Sequence, residues 1–324
     1  MRCSGKNLTK HQRISEKDKD MEILKLKAVY KDYIWGGEKL RTKFGKETDI
    51  FPLAESWELS CHKDGLTIVE NTGETLEKYI KEHKGCLGTL CKSEEMPVLI
   101  KFIDAADDLS VQVHPNDRQA ELMEGQKGKT EMWYVIDADK DAKITFGVSK
   151  DTTKEELKSA LEENRIEELL NKVDSKKGDV FFVNAGTIHA IGKGNLIAEI
   201  QQNSNVTYRF YDYNRIGKDG KPRELHIEKA LMVADCRKAR PKEITEGGNG
   251  LKVLGKCEYF AVYEIKNSKK LNADEESYNA VVVTEGQFSI NDTNIKAGET
   301  VFIPAGYGEY EIKGEGCALL VSNK

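Results

Sequence analysis

No apolar run in this chain is long enough to cross a bilayer as a helix, so no membrane span is expected. Nor is there a block of basic residues. The formal net charge is -5, which argues against nucleic acid as the main partner and leaves room for a local basic pocket. The seven cysteines (3, 61, 86, 91, 236, 257 and 317) are odd in number and irregularly spaced, and none forms a CxxC pair. That removes the usual thiolate-zinc and redox motifs and suits reduced thiols in a cytoplasmic protein. The first twenty residues, MRCSGKNLTKHQRISEKDKD, have no apolar core of the kind a secretory signal needs. They are expected to form a disordered leader, with patterned sequence starting at Met21. Finally, Gly192-Lys193-Gly194 lacks the strand–loop–helix setting of a phosphate loop.

Hydrophobic residues make up 39% of the 324 residues and charged residues 32%, a soluble globular composition with material for two domains or one large one. Strand patterns dominate. Ala54–Ser60, Pro97–Ile103, Met132–Ile136 and Leu196–Gln201 read as strands. From Leu251 onward the chain is a series of short strands separated by turn residues, the pattern of an all-β barrel or sandwich. Helices are predicted over Glu38–Phe44, from Asn116-Asp117, over Thr75–Gly85, and over Thr152–Val173, where Thr153 and Glu156 make a capping box. A stretch rich in Pro, Gly and charge near 236–250 marks a domain boundary. The expected division is therefore 21–240 and 241–324.

The most informative stretch is Leu109-Ser110-Val111-Gln112-Val113-His114. Period-two alternation puts Ser110, Gln112 and His114 on one face and Val111 and Val113 on the other. A strand with an amide and an imidazole on its second face is expected to line a polar pocket. Glu131 opens the next strand, and His189 follows a turn at Asn184-Ala185-Gly186. Two imidazoles, a carboxylate and an amide form an N/O donor set with no thiolate. Such a set suits a borderline divalent metal that keeps positions open for catalysis. Gln112 is either a ligand or a hydrogen-bonding support for one. Arg209 lies on a strand flanked by aromatic residues, in a pattern that puts Arg209 and Tyr211 on one face. Glu199, between apolar neighbours, is a candidate for a raised pKa and a catalytic base, or else a satisfied structural carboxylate. A water on the metal is the other candidate base. Trp35 and Trp57 are core anchors or walls of a sugar site.

One turn occurs twice. Gly178-DVFFV-Asn184-Ala185-Gly186-Thr-Ile-His189 aligns with Gly298-ETVFI-Pro304-Ala305-Gly306-Tyr-Gly-Glu309. It resembles the second motif of the cupins, so the chain resembles a protein of two cupin-type jelly-roll barrels. The fold expected is mainly β, with helical excursions in the N-terminal catalytic part. Glu309 stands where the first copy has His189, which makes 241–324 a metal-free barrel by this resemblance. YIWGG, LSVQVHPND, GKTEMWYV and NAGTIHAIGKGNLIAEIQQNSNVTYRFYD together resemble the short bacterial form of the type I phosphomannose isomerase family, from about Met21 to the C-terminus. The resemblance implies a zinc-dependent aldose–ketose isomerase, with one zinc per chain, acting on a small sugar phosphate. It places Gln112, His114, Glu131 and His189 on the family's zinc ligands and Arg209 on its catalytic arginine.

Lys129 is then a candidate for phosphate or sugar hydroxyls, Ser110 and Trp35 for substrate contacts, and Glu199 for the base. The Ser-Asp-Asn-Thr-x-Arg run of the longer eukaryotic members corresponds to Ser204–Arg209, with Asn205 in place of the aspartate. A lysine that they carry just after the arginine has Arg215 as its nearest counterpart, which makes Arg215 a phosphate candidate. Two other readings compete. A cupin that binds sugar or metal as a sensor needs the pocket but not Arg209. A metal-dependent dioxygenase on this scaffold wants an iron site with two or three histidines, and four of the six histidines (11, 62, 83 and 226) fall outside the cupin motifs.

Overall fold

The computed structural model describes residues 21–217, 220–241, 244–247 and 250–324. The leader expected over 1–20 lies outside the described residues. The architecture is mainly β, as expected. Two antiparallel sheets face each other in the N-terminal part. One has six strands in the order Val180–Val183, Glu131–Ala138, Asn195–Gln202, Val98–Asp104, Glu55–Leu59, Val29–Lys31. The other has five, in the order Leu170–Asp174, Lys143–Val148, His189–Ile191, Val111–Val113, Tyr208–Tyr211.

Both faces of the six-stranded sheet are buried, which explains its near-continuous apolar strands such as PVLIKFI. Its outer face (Val98, Ile100, Phe102, Met132, Tyr134, Ala198, Ile200) packs against Phe260, Val282, Phe302 and Leu319 of the C-terminal sheet. On its inner face, Ile103, Trp133, Val135 and Ile197 meet Ile144, Phe146 and Ile191 of the five-stranded sheet. Other inner positions are polar: Glu55, Lys101, Glu131, Glu199 and Gln201 are all buried. Alternation along the five-stranded sheet is equally clear. Val111, Val113, Ala190, Tyr208 and Phe210 pack outward against the helix Ile227–Val233 and its neighbours.

The C-terminal sheet takes in strands from the start of the chain. Leu24–Lys27 pairs with Thr300–Ile303 on one side and Ile68–Val69 on the other. Strands from both sides of residues 236–250 therefore share one sheet. The repeated turn is repeated in backbone geometry: Gly178 and Gly298 have φ of 89° and 88°, and Gly186 and Gly306 of 90° and 83°.

Two local expectations are corrected. The helix expected over Thr152–Val173 is three elements. Thr153 and Glu156 do form the capping box, but the helix Lys154–Glu162 stops before Asn164, which has φ 55°. A single turn, Ile166–Leu169, follows, and Leu170–Asp174 is an edge strand on Lys143–Val148. Sheet pairing overrides helix propensity there. Arg209 and Tyr211 do not share a face, because the ladder shifts register between them. A bulge adds one residue to a strand and reverses its alternation. Tyr211 accordingly joins the outer cluster while Arg209 points inward.

The two turn glycines make different demands. A Cβ on Gly178 would meet nothing within 4 Å, whereas one on Gly298 would sit 2.5 Å from Phe44 Cβ. Gly178→Ala is expected to cost about 1–2 kcal/mol, from the left-handed backbone alone. Gly298→Ala adds an overpacking penalty of about 1–3 kcal/mol. Urea unfolding midpoints would order the two variants accordingly, and equal midpoints would contradict the packing described.

Candidate metal centre and active site

Cross-strand register assembles the site. Gln112 lies opposite His189 on one neighbouring strand and opposite Arg209 on the other. Glu131 enters from the facing sheet, where it pairs with Gln201 and Val183. His114 follows the Val111–Val113 strand, and its Nδ1–H donates to Val206 O at 2.9 Å. His189 Nδ1–H donates to Thr187 O at 2.8 Å. A carbonyl only accepts, so each ring carries its proton on Nδ1 and leaves a lone pair on Nε2. Those two Nε2 atoms face each other at 3.1 Å. Glu131 Oε1 is 3.3 Å from His189 Nε2, and Oε2 is 3.5 Å from His114 Nε2. Gln112 Nε2 lies 3.4 Å from His189 Nε2.

All three ionisable groups are sealed from solvent, and their candidate ligand atoms lie within 4.8 Å of one another. Burial pushes the His114 imidazolium well below its usual range, helped by the Lys129 charge, and pushes His189 down to about 3. Burial and the neighbouring Glu199 push Glu131 up to about 7. Glu131 Oε1 is buried without a hydrogen-bond partner. Two converging imidazole lone pairs and an orphaned carboxylate oxygen repel one another unless something positive lies between them. Lys129 Nζ answers part of that demand, donating to His114 Nε2 at 3.1 Å and to Glu131 Oε2. The rest fits a divalent cation of borderline softness.

Beside this centre runs a buried chain of alternating charge. Lys129 Nζ is 3.7 Å from Glu199 Oε1, Lys101 Nζ is 3.4 Å from the same oxygen, and Lys101 Nζ is 3.7 Å from Glu55 Oε2. Indole N–H groups complete it: Trp133 donates to Glu199 at 2.9 Å and Trp57 to Glu55 at 2.6 Å. The raised pKa expected for Glu199 is corrected. Burial does push it up, but Lys129, Lys101 and the Trp133 N–H outweigh burial and hold it below the usual carboxylate range. Its apolar sequence neighbours point to the other face of the sheet and say nothing about what surrounds the carboxylate.

A cavity of about 290 Å³ opens over this array, lined by Trp35, Ser110, Gln112, Lys129, Glu199 and Arg209 among others. The structure brings these six expected site residues together, with His114, Glu131 and His189 buried behind Gln112 and Lys129. Arg215 is not part of the lining. Its guanidinium is turned to Asp212 (2.6 Å) and to the Asp108 carbonyl. Sequence reasoning missed four lining residues in particular: Glu55, Lys101, Thr207 and Arg223. Lys101 did carry a signal. A lysine at the centre of an apolar strand buried on both faces requires carboxylate partners.

A polar cavity above a buried His–Glu–His cluster, between two antiparallel sheets, is the arrangement of a metal-binding cupin-class enzyme. The family model for the phosphomannose isomerase type I catalytic domain matches residues 23–130, and that for the mannose-6-phosphate isomerase cupin domain matches residues 251–323. A probable mannose-6-phosphate isomerase, GmuF, of Bacillus subtilis (strain 168) is 39% identical over 311 residues, covering 92% of this chain and 98% of its own. Mannose-6-phosphate isomerase ManA of the same strain is 39% identical over 308 residues, covering 90% and 96%. The crystal structure of the mannose 6-phosphate isomerase from Bacillus subtilis has a TM-score of 0.84 to this one at 35% identity, over 93% of this chain and 99% of that one. The chain belongs to the type I phosphomannose isomerase family of enzymes.

The depressed histidines do not compete with a metal for protons near neutrality, whereas Glu131, at about 7, does. Apparent Zn²⁺ affinity is therefore expected to fall about tenfold per unit as pH drops from about 7 to about 5.5, one proton being displaced per ion. Competition with a chromophoric chelator measures this. An affinity flat over that range would contradict the donor set.

Proposed function

We propose that the protein interconverts mannose 6-phosphate and fructose 6-phosphate through an enediol(ate), with one zinc ion held by His114, Glu131, His189 and, with its amide turned to present the oxygen, Gln112. The carrying observation is the buried pair of unprotonated imidazole nitrogens facing an orphaned carboxylate oxygen, directly beneath a cavity that Arg209 also lines. The ion would supply Lewis acidity beside the oxygens on C1 and C2 of the sugar.

The chain's own groups do the remaining work. Isomerisation moves one proton between C2 and C1 and another between their oxygens, with no net redox change. Glu199 is the base in this reading. The two lysines keep it ionised, it lines the cavity, and its Oε1 accepts no hydrogen bond. A carboxylate that stays deprotonated near neutrality is available to take the carbon-bound proton and return it one carbon along. Lys129, which reaches both Glu131 and Glu199, is placed to move the oxygen-bound proton. Negative charge develops on oxygen in the enediolate. Arg209 meets that charge with a guanidinium that stays cationic at any working pH. Ser110 and Trp35 line the same cavity and contact the sugar.

The sensor reading has no use for Arg209 or for the lysine–carboxylate chain, both of which border the cavity. The six described cysteines are all free, and no helix among the described residues is long and apolar enough to cross a membrane. The free thiols support a cytoplasmic, reducing setting.

In a coupled assay for fructose 6-phosphate formed from mannose 6-phosphate, exhaustive chelation should abolish turnover and added Zn²⁺ restore it. Arg209→Ala should lower kcat by about 10²–10³, the cost of removing one charge-stabilising donor. Full activity in metal-free protein, or an unimpaired Arg209→Ala, would overturn the proposal.

A further inference from the structure

The sugar phosphate must be held by its phosphate, and Arg215, the residue nearest in sequence to that role, is turned away from the cavity. Two other guanidiniums, Arg209 and Arg223, form part of the cavity wall. Asp212 orients the second of them. It is buried, and it accepts from Arg223 Nε at 2.7 Å and Arg223 Nη2 at 2.5 Å, a bidentate fork that fixes the plane of that guanidinium. The same carboxylate accepts from Arg215 Nη2 at 2.6 Å, while Arg215 Nη1 donates to the Asp108 carbonyl. The fork leaves Nη1 of Arg223 outside its bond to Asp212. Arg209 Nη1 donates to Glu224 O at 2.7 Å, but its Nε is buried without a partner.

Arg215 and Arg223 thus share one buried carboxylate, and Arg209 is the third guanidinium nearby. The two nearest the cavity repel each other, and with burial Arg223 pushes the Arg209 pKa down. A dianion at the free edge of Arg223 would offset that repulsion. We propose that Arg223, oriented by Asp212, is the phosphate-binding residue of the cavity, and that Arg215 is a positioning residue acting through Asp212. This rests on the sugar-phosphate reading given above.

The test compares wild type, Arg223→Ala, Arg223→Lys and Arg215→Ala in the zinc-loaded enzyme. It measures kcat and KM for mannose 6-phosphate and competitive inhibition by inorganic phosphate. Arg223→Ala is expected to raise KM about 10- to 100-fold, the loss of one charge-assisted contact. Its kcat should change far less, because the contact is made equally in ground and transition states. The inhibition constant for phosphate should rise in parallel, which a merely structural role would not produce. Arg223→Lys, the variant least disturbing to folding, should recover only part of the affinity, since an ammonium does not fork to Asp212. Arg215→Ala should weaken phosphate less than Arg223→Ala does. An unchanged phosphate constant in both Arg223 variants, or a larger loss in Arg215→Ala, would overturn the proposal. A wild type that binds phosphate but never turns over the sugar phosphate would instead remove the functional reading beneath it.

Discussion

Two imidazole lone pairs pointed at each other, 3.1 Å apart in a site sealed from water, are the constraint on which the rest of this structure depends. Neither ring is free to turn away, because each Nδ1–H is tied to a backbone carbonyl, Val206 O for His114 and Thr187 O for His189. The supports also depend on each other. The Asn184–Gly186 turn that presents His189 is anchored by Gly186 N–H donating to His114 O at 2.8 Å, and Asp235 N–H in turn donates to Gly186 O. The helix Ile227–Val233 therefore links both sides of the site. Its preceding residue, His226, bonds the backbone of Arg209, and the residues after it bond the turn before His189. These bonds fix both rings in the orientation that a metal ligand set requires.

Ionic groups as deeply buried as Glu55, Lys101, Lys129, Glu131 and Glu199 would be destabilising if isolated. They are tolerated because cationic and anionic groups are interleaved and because two indole N–H groups donate to Glu55 and Glu199. The C-terminal sheet has an indirect part in this. By covering the outer face of the six-stranded sheet with Phe260, Phe302 and Leu319, it lets that sheet give several inner positions to polar chemistry while keeping a large core. In its copy of the repeated turn the backbone glycines are kept, but Glu309 is exposed where His189 is buried.

Much of the site was legible in the sequence. The alternation Ser110–Gln112–His114 translated directly into a polar face, and Glu131 and His189 fell at strand starts where the pattern put them. What was not legible depended on tertiary context. The bulge between Arg209 and Tyr211 reversed a face that simple alternation had assigned. Asn164 broke a helix whose apolar spacing ran on through Leu170, because an edge strand found a partner in Lys143–Val148. The carboxylate of Glu199 has its charge set by Lys101 and Lys129, which come from two other chain segments. Arg223 sits in a stretch of the sequence with no periodicity, and only the fold sets it against Asp212.

X-ray absorption at the metal edge of the purified enzyme reads this donor set directly. One ion per chain is expected, coordinated only by nitrogen and oxygen at about 2.0–2.2 Å, with two imidazole contributions that disappear one at a time in His114→Ala and His189→Ala. A sulfur shell at about 2.3 Å, or an ion whose imidazole signal survives both substitutions, would contradict it.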